Sequence, residues 1–399
     1  MSDLSYLEKL LDGTEVEWVY ASEIFNIKNG YTPSKSKKEF WEDGDVPWFR
    51  LEDIRVNGRK LIDSIQHVNK LGVKGAIFPE NSIFMSTTAT IGEYALVRTP
   101  HLTNQQITSF SLSEKFKDKL DINYLFHRFY DFGEWCKENA NKSGGLSIIG
   151  IKKLSLYKFP IPCPGNPEKS LAIQSEIVRI LDAFTALTAE LAAELDMRKK
   201  QYKHYLFECL RFTEVTQYLK IGKCCDIKKG LTPIKKAAPG KYPLVATTEE
   251  RQSSSGYQFD CAAVCVPLIS SRGHGVATID RIYFQDGKFA LGNILCAIIP
   301  NDSRVLSAKF LRYYLFDKKD VLLVPLMRGG ANVSLTVDSL KKVEIPIPPL
   351  AEQQRIVRIL DKFDELVKSL PREIELRQKQ YEYYRDLLFS FPKPESVNN

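Results

Sequence analysis

Apolar residues recur at alternating steps of three and four along two segments of this chain, and the two segments repeat each other. Residues 177–202 read IVRILDAFTALTAELAAELDMRKKQY, and residues 356–381 read IVRILDKFDELVKSLPREIELRQKQY. They align without a gap at a shift of 356 − 177 = 179 residues. A shift of nearly half of the 399 residues indicates a duplication, in which each of two large units is followed by its own helix.

The stepped positions predict a coiled-coil seam, because a period of 3.5 residues turns one stripe of a helix toward a partner helix. An antiparallel pair would hold two globular units at a fixed separation, whereas two ordinary amphipathic helices on separate domains are the alternative. Arg198 and Arg377 share one seam position and are expected to fix the register. Pro371, which stands where the first copy has Ala192, is expected to kink or restart the second helix. The predicted seam residues are Leu181, Phe184, Leu191, Leu195, Arg198 and Tyr202, and Leu360, Phe363, Val367, Leu370, Ile374, Arg377 and Tyr381.

The segments outside these helices mix short β-prone runs with glycine and proline turns, and they repeat more loosely. IKNGYTPSKS at residues 27–36 is echoed by IKKGLTPIKK at 227–236, and the glycine pairs of residues 143–162 and 328–349 also correspond. One aromatic stretch, residues 123–137, has helical spacing. The first long helix should run from about Pro167 to Leu210, since Asn166 and Pro167 supply a cap and a first-turn proline.

These patterns predict an α+β protein with a pseudo-twofold internal repeat and four parts. Two globular α/β domains span residues 1–162 and 212–349. Two long helices, which form an antiparallel coiled coil, span residues 163–211 and 350–399.

Composition narrows the class of protein only a little. A net charge of +7 is compatible with a polyanionic partner, or with a basic surface of no special meaning. The eight cysteines form no C-x-x-C pair, which favours buried free thiols. No run approaches the ~18 apolar residues of a membrane span, and no secretory leader is recognised at the N-terminus. We therefore expect a cytoplasmic protein with no membrane partner.

Longer motifs carry a specific resemblance. PIPPLAEQQRIVRILDKFD at residues 346–364, with NGYTPSK at 29–35 and FWEDGDVPWF at 40–49, resembles the specificity (S) subunit of type I restriction–modification systems. The tetrads in LTAELAAEL at 187–195, with MSDLSYLEKLLDG at 1–13 and ELRQKQYEYYRDLLFSFPKPE at 375–395, resemble the type IC branch in particular.

The resemblance implies that each globular domain is a target recognition domain that reads one half of a split site in double-stranded DNA. It implies that the helices dock two modification (methyltransferase) subunits and that restriction (motor-nuclease) subunits join them. No cofactor is expected in this chain, and S-adenosylmethionine, ATP and Mg are implied for the partner subunits. Helix faces outside the seam, marked by Arg179, Lys199, Arg358 and Lys379, are expected to meet those partners.

Catalytic motifs are missing from the sequence. It contains no GxxxxGK[ST] phosphate loop and no Asn-Pro-Pro-aromatic tetrapeptide of an adenine methyltransferase. None of the five histidines has a spaced partner set for a metal, and His67 and His204 are expected at the surface. The chain is therefore predicted to be a non-catalytic subunit. A protein scaffold that bridges two partners without reading DNA, and an enzyme with an unfamiliar site, are the alternatives.

Candidate DNA contacts are loop residues that combine cations, which suit phosphates, with amides and hydroxyls, which suit base edges. Each of them could also be an ordinary solvated loop residue, and neither the target sequence nor its spacer can be read from the chain. The candidates are Lys35, Lys37, Lys38, Arg50, Thr87, Thr88, Thr90, Asn104 and Gln105, and Lys235, Lys236, Thr247, Arg251, Ser271, Arg272 and His274.

Overall fold

The computed structural model describes residues 14–143, 145–212, 216–233, 237–248, 252–271, 278–329 and 332–391. The chain divides into two compact units, Met1–Ala189 with Glu375–Asn399, and Glu190–Ile374. Each unit contains a globular part together with segments of both long helices. Across the described ranges, no helix is long and apolar enough to span a membrane.

The first unit is built on a five-stranded sheet with the strand order β2-β9-β6-β7-β4, beside a three-stranded sheet with the order β5-β3-β8. Its strands are β1 Val16–Tyr20, β2 Phe25–Asn29, β3 Val46–Phe49, β4 Lys60–Leu61, β5 His67–Val68, β6 Ser82–Ser86, β7 Tyr94–Val97, β8 Leu102–Thr103, β9 Ile107–Leu112, β10 Asn141–Ser143, β11 Leu146–Ile148 and β12 Lys158–Pro162. Its shorter helices are α1 Ala21–Ile24, α2 Leu51–Asn57, α3 Ile122–Asn139 and α4 Ile151–Leu154, with 3-10 turns at Lys38–Phe40 and Lys70–Gly72.

Helix α3 covers this sheet with its aromatic face, as its spacing predicts. Asp121 caps the helix by accepting a hydrogen bond from the Asn123 backbone N–H at 2.8 Å. Phe129 and Phe132 are fully buried, and both rings pack edge-on against Phe110 of β9. The core of the unit therefore lies between α3 and the sheet, while the loops at the strand ends stay outside it.

The second unit repeats this plan with a four-stranded sheet, β14-β22-β18-β20, and a second four-stranded sheet, β16-β15-β21-β17. Its strands are β13 Tyr218–Lys220, β14 Cys225–Lys229, β15 Tyr242–Val245, β16 Gln252–Ser254, β17 Phe259–Asp260, β18 Ala263–Pro267, β19 Ile269–Ser271, β20 Tyr283–Gln285, β21 Lys288–Leu291, β22 Leu295–Pro300, β23 Arg328–Gly329, β24 Asn332–Ser334 and β25 Glu344–Pro346. Its shorter helices are α6 Ile221–Cys224, α7 Ala308–Asp317, α8 Lys319–Leu322 and α9 Val337–Lys341, with 3-10 turns at Thr278–Asp280 and Val324–Leu326.

The strand pairings confirm the internal repeat. The pair β1–β12 of the first unit corresponds to β13–β25 of the second, and the row β2-β9-β6 corresponds to β14-β22-β18. The repeat therefore extends from the long helices into the globular parts.

The two long helices are α5, Pro167–Cys209, and α10, Leu350–Leu388. The first ends within a residue of the predicted position. The expectation that Pro371 restarts the second helix is wrong, because α10 continues through it. Proline removes one backbone hydrogen bond, but Leu370 is buried and Ile374 half-buried, so packing on both sides keeps the backbone helical.

Each unit contains one end of the helix pair. In the first unit, the ring of Phe184 in α5 stacks on Tyr384 in α10, with centroids 5.0 Å apart. In the second unit, Tyr205 of α5 stacks on Phe363 of α10 at 4.9 Å. The early part of α5 thus packs against the late part of α10 and the late part against the early part, which makes the coiled coil antiparallel.

The predicted seam positions face inward to different degrees. Arg198 contacts Glu194 at 3.2 Å and Gln201 at 3.1 Å, both on its own helix. Buried seam residues are Leu181, Leu360 and Leu370, and half-buried ones are Phe184, Leu191, Leu195, Arg198, Tyr202, Phe363, Val367, Ile374, Arg377 and Tyr381.

Candidate nucleic-acid interface

A glycine in each unit brings two loops into close contact. A Cβ added to Gly30 would lie 2.3 Å from the carbonyl oxygen of Thr103, and one added to Gly230 would lie 2.1 Å from that of Gly292. Real Cβ atoms do not approach backbone oxygens this closely, so the contact requires glycine at both positions. The residues after each glycine continue the contact, since Tyr31 donates its N–H to the Thr103 carbonyl at 2.8 Å and Thr232 donates its N–H to the Leu291 carbonyl at 3.0 Å.

In the first unit this contact gathers three of the predicted residues. Asn104 and Gln105 lie in the loop between β8 and β9, and Gln105 is hydrogen-bonded to the hydroxyl of Thr32. The Asn104 N–H donates to the carbonyl of Phe49 at 3.2 Å, which brings Arg50 beside the same loop. Arg50 also pairs with Glu52 at 2.9 Å and lies over the Trp48 ring. An amide, a hydroxyl and a guanidinium therefore sit together at one edge of the sheet.

The three predicted threonines differ in position. Thr87 is buried, and its hydroxyl lies 2.9 Å from that of Thr108. It therefore holds the loop in place and is not free to meet a ligand. Thr88 is half-buried and Thr90 is exposed. The Thr87 N–H donates to the Gln106 carbonyl at 2.9 Å, so this loop adjoins the Asn104 loop.

A hairpin absent from the predicted contacts completes this edge. Strands β10 and β11 pair with each other, and Thr88 forms a bridge to Ile148 of β11. Lys142 is exposed on β10, and the apolar Leu146 and Ile148 are each 45% exposed on β11. The sequence holds a weak signal for this hairpin, because the shift of 186 between Pro160 and Pro346 places Lys142 at Arg328 (142 + 186 = 328), although the glycine pairs correspond at a shift of 185.

A loop that carries Lys35, Lys37 and Lys38 lies a few residues beyond Thr32. Lys35 and Lys38 line an open cavity of about 340 Å³ with Trp41, Glu42 and Gln66. The ring of Trp41 packs edge-on against Trp48 at 5.0 Å, which anchors the loop to β3. Lys37 is exposed, lies over the Phe40 ring and is 4.0 Å from Glu39. The contact between Trp41 and Trp48 thus holds this loop, with its lysines, against β3.

Only part of the second predicted set can be located. Lys235, Lys236, Arg251, Arg272 and His274 lie outside the described residues. Thr247 is half-buried, and Ser271 belongs to β19, although its side chain is not described.

The second unit nevertheless builds the same arrangement. Strand β24 pairs with both β19 and β23, and the exposed Arg328 lies on β23. Asn293, exposed in the loop between β21 and β22, donates its N–H to the Thr232 carbonyl at 3.0 Å. Asn293 and Arg328 were not predicted, because each takes its place only through contacts with distant segments.

Groups suited to other chemistry are few. In the parts of the chain that the structure describes, no group of three or more His, Cys, Asp and Glu side chains could hold a metal ion. All eight cysteines are free, and burial raises the pKa of the Cys136 and Cys265 thiols. Protonated buried thiols are unreactive. The sequence predicts buried free thiols, and the structure buries four of the eight while the other four are half-buried.

Comparison with known proteins gives consistent matches. The family model of the type I restriction modification DNA specificity domain matches residues 14–197 and again residues 214–376. The chain is 41% identical over 398 residues to the type I restriction enzyme EcoprrI specificity subunit of Escherichia coli, covering 93% of both chains. It is 36% identical over 424 residues to the EcoR124I/EcoR124II specificity subunit of Escherichia coli, covering 100% of both.

Solved structures share the fold. The S subunit of a type I restriction-modification system from M. genitalium superimposes with a TM-score of 0.62 at 13% identity, covering 96% of this chain and 98% of that one. A chain from a study of assembly and conformational transition of the type I R-M system gives a TM-score of 0.56 at 15% identity, covering 94% and 97%. On its matching family model and its relatives, this chain belongs to the family of type I restriction enzyme specificity subunits.

Proposed function

We propose that the chain reads a bipartite target in double-stranded DNA, with one half-site for each globular part. The recognition domains are residues 1–162 and 212–349, and residues 163–211 and 350–399 form the helical spacer. The observation that carries the proposal is that the glycine contact and the cation-bearing hairpin are built twice. A two-part reader has a purpose when both half-sites must be matched in distance and in helical phase.

Side-chain chemistry indicates which residues contact the phosphates and which contact the bases. Lys35, Lys37, Lys142 and Arg328 supply charge for the phosphate backbone, which positions a protein but carries no sequence information. Amides such as Asn104, with Gln105 and Asn293, offer a donor and an acceptor together, which suits base edges in the major groove.

As a specificity subunit, the chain has a non-catalytic role and acts with the other components of a type I restriction enzyme. We infer that two modification (methyltransferase) subunits dock on the helix pair and that restriction subunits join them. Exposed positions outside the seam, Arg179, Lys199, Arg358 and Lys379, mark the docking faces. S-adenosylmethionine, ATP and Mg then belong to those partners, and the complex works on DNA in the cytoplasm.

The proposal is tested by a gel shift of the chain with and without its modification subunits, over a range of salt concentrations. Sequence-specific binding that weakens steeply as salt rises is expected. Mapping methylated adenines in DNA exposed to the complex should then give two short motifs separated by a spacer of fixed length. Absence of DNA binding under both conditions would leave a protein scaffold as the function, and methylation by the isolated chain would make it an enzyme.

A further inference from the structure

The first long helix holds the aromatic helix of its own unit through a buried carboxamide. Gln174 of α5 is fully buried, and its Oε1 accepts a hydrogen bond from the Asp121 N–H at 2.8 Å, directly before α3. Its Nε2 donates to the Lys119 carbonyl at 3.2 Å and to Ser170 Oγ at 3.0 Å. The acceptor and both donors of the carboxamide are thereby occupied.

A second contact lies further along the same helix. The Asp182 carboxylate is 3.0 Å from His127 Nε2 of α3 and 3.0 Å from Lys60 Nζ. The hydrogen bond with His127, with a further contribution from Lys60, lowers the pKa of Asp182 to about 2, so this carboxylate is charged. The two contacts are eight residues apart, or ~12 Å along the helix. Two contacts at this distance fix the angle between the helices as well as their position.

The second unit makes the same two contacts with residues 179 positions later in the long helix. Gln353 is fully buried, and its Oε1 accepts from the Ser307 N–H at 2.8 Å while its Nε2 donates to the Val305 carbonyl at 2.8 Å. Asp361 accepts a hydrogen bond from the Tyr313 hydroxyl at 2.8 Å. Tyr313 replaces the imidazole of His127, yet the contact is retained.

Repetition of these contacts contrasts with the divergence of the loops. The segments that carry the candidate DNA contacts differ in length between the units, whereas the two contacts recur position by position. A buried carboxamide is satisfied in one arrangement only, since a shift along the helix would leave its polar atoms without partners. These side chains therefore fix the orientation of each globular part on its long helix, in addition to holding the two together.

A small change in that orientation moves the surface of the domain by a distance comparable to the rise of one base pair. A domain of this size has a radius of gyration of about 15 Å. A tilt of ~13° at the contact therefore moves a surface at that distance by ~3.4 Å, which is the rise of one base pair.

We propose that Gln174 with Asp182, and Gln353 with Asp361, form a joint that sets the length of the spacer between the two half-sites. The joint acts through the angle of each recognition domain on its helix, so its residues are positioning residues that contact no base. This inference rests on the proposed function and adds to it a determinant of spacer length outside the heptad seam.

The test uses the complex assembled with its modification subunits and a Gln353→Met variant, which keeps the side-chain volume and removes the hydrogen bonds. Gln354→Met is the matched control, because Gln354 is the exposed neighbour on the same helix. Methylation rates are measured on DNAs that keep both half-sites and vary the spacer by single base pairs. We expect Gln353→Met to reduce the preference for the native spacer over its neighbours by about 10-fold, with the half-site bases unchanged. Gln354→Met should keep the native preference.

The alternative outcomes are distinct. A merely structural role predicts that Gln353→Met lowers the rates on all spacers by the same factor, and this result overturns the joint while leaving the proposed function intact. A wild-type complex without any spacer preference refutes the proposed function itself. If Gln353→Met does not assemble, Tyr313→Phe takes the same test, because it removes the hydroxyl that donates to Asp361 and keeps the ring in the core. The same loss of spacer preference is then expected.

Discussion

The ring of Phe184 stacks on the ring of Tyr384 with 22° between their planes, and the same two residue types stack again with their helices exchanged. The shift of 179 turns Phe184 into Phe363 and Tyr205 into Tyr384. Phe363 and Tyr205 stack with 27° between their planes. One contact thus occurs twice in the helix pair, once in each unit.

The stack should contribute a measurable coupling energy. Phe184→Ala, Tyr384→Ala and the double variant are compared by urea unfolding. We expect the two substitutions to be non-additive by ~0.5–1.5 kcal/mol, as for other aromatic pairs. Phe184→Ala combined with Tyr205→Ala is the control, because these residues lie ~30 Å apart on one helix and should be additive. Additivity in both pairs would show that the stacking is incidental.

Glycine at the loop contact should be indispensable. Gly30→Ala puts a Cβ against the Thr103 carbonyl, so we expect a loss of more than ~2 kcal/mol in the unfolding free energy of the first unit. DNA binding should weaken with it. Gly165→Ala is the matched control, because its added Cβ meets nothing within 4 Å. A Gly30→Ala variant as stable as the control would contradict the close approach of the two loops.

Lys142, the exposed lysine of the β10–β11 hairpin, should contribute to binding of DNA phosphates. Lys142→Ala is expected to weaken DNA binding about equally for all sequences and to reduce the salt dependence of log K by about one unit of slope. Lys117→Ala is the control, since this exposed lysine follows the opposite end of β9. Equal effects of the two substitutions on the slope would remove the hairpin from the proposed surface. Arg328→Ala should match Lys142→Ala in the second unit.

Lengthening the helix should lengthen the DNA spacer. Inserting Thr-Ala-Glu-Leu after Leu191 adds ~6 Å and a net rotation of ~40° to α5, and one base pair adds ~3.4 Å and roughly 35°. We expect a spacer longer by one base pair and unchanged half-sites, as measured by mapping methylated adenines. Ala192→Thr completes a second identical tetrad without adding length and should leave the spacer unchanged. Altered half-site bases in the insertion variant would refute the hypothesis.

One buried histidine should make the stability of the first unit depend on pH. His101 lies between the rings of Phe49 and Phe78, and burial lowers its pKa from 6.5 to about 4. The unfolded chain therefore binds a proton that the folded chain does not bind. The unfolding free energy should fall by up to ~3 kcal/mol as the pH is lowered from about 6.5 to about 4. His101→Asn, which keeps a donor for the Thr99 carbonyl, should lose this part of the pH dependence. An unchanged pH profile in unfolding experiments would contradict it.

The two long helices and α3 could be predicted, because each of them has a local periodicity in the sequence. The heptad steps and the shift of 179 identify both long helices, and the aromatic spacing identifies α3. The expected restart at Pro371 is wrong, because packing on both sides of the proline outweighs its low intrinsic helix propensity.

The candidate site was harder to predict, because its members are joined by contacts that have no local signal. Thr87 resembles Thr90 in the sequence, yet its hydroxyl is hydrogen-bonded to that of Thr108, which lies 21 positions away. Gln174 and Gln353 stand beside ordinary polar residues of a helix, and only the fold shows that they are buried.

The exchanged stack means that each long helix is complementary to itself. A single copy of the repeat already contains the phenylalanine and the tyrosine that the contact needs. Two separate half-length chains, each with one recognition domain and one helix, would therefore form both stacks between them as a symmetric homodimer. The covalent link between the halves is then needed only where the two half-sites differ, because a homodimer can read nothing but two identical halves.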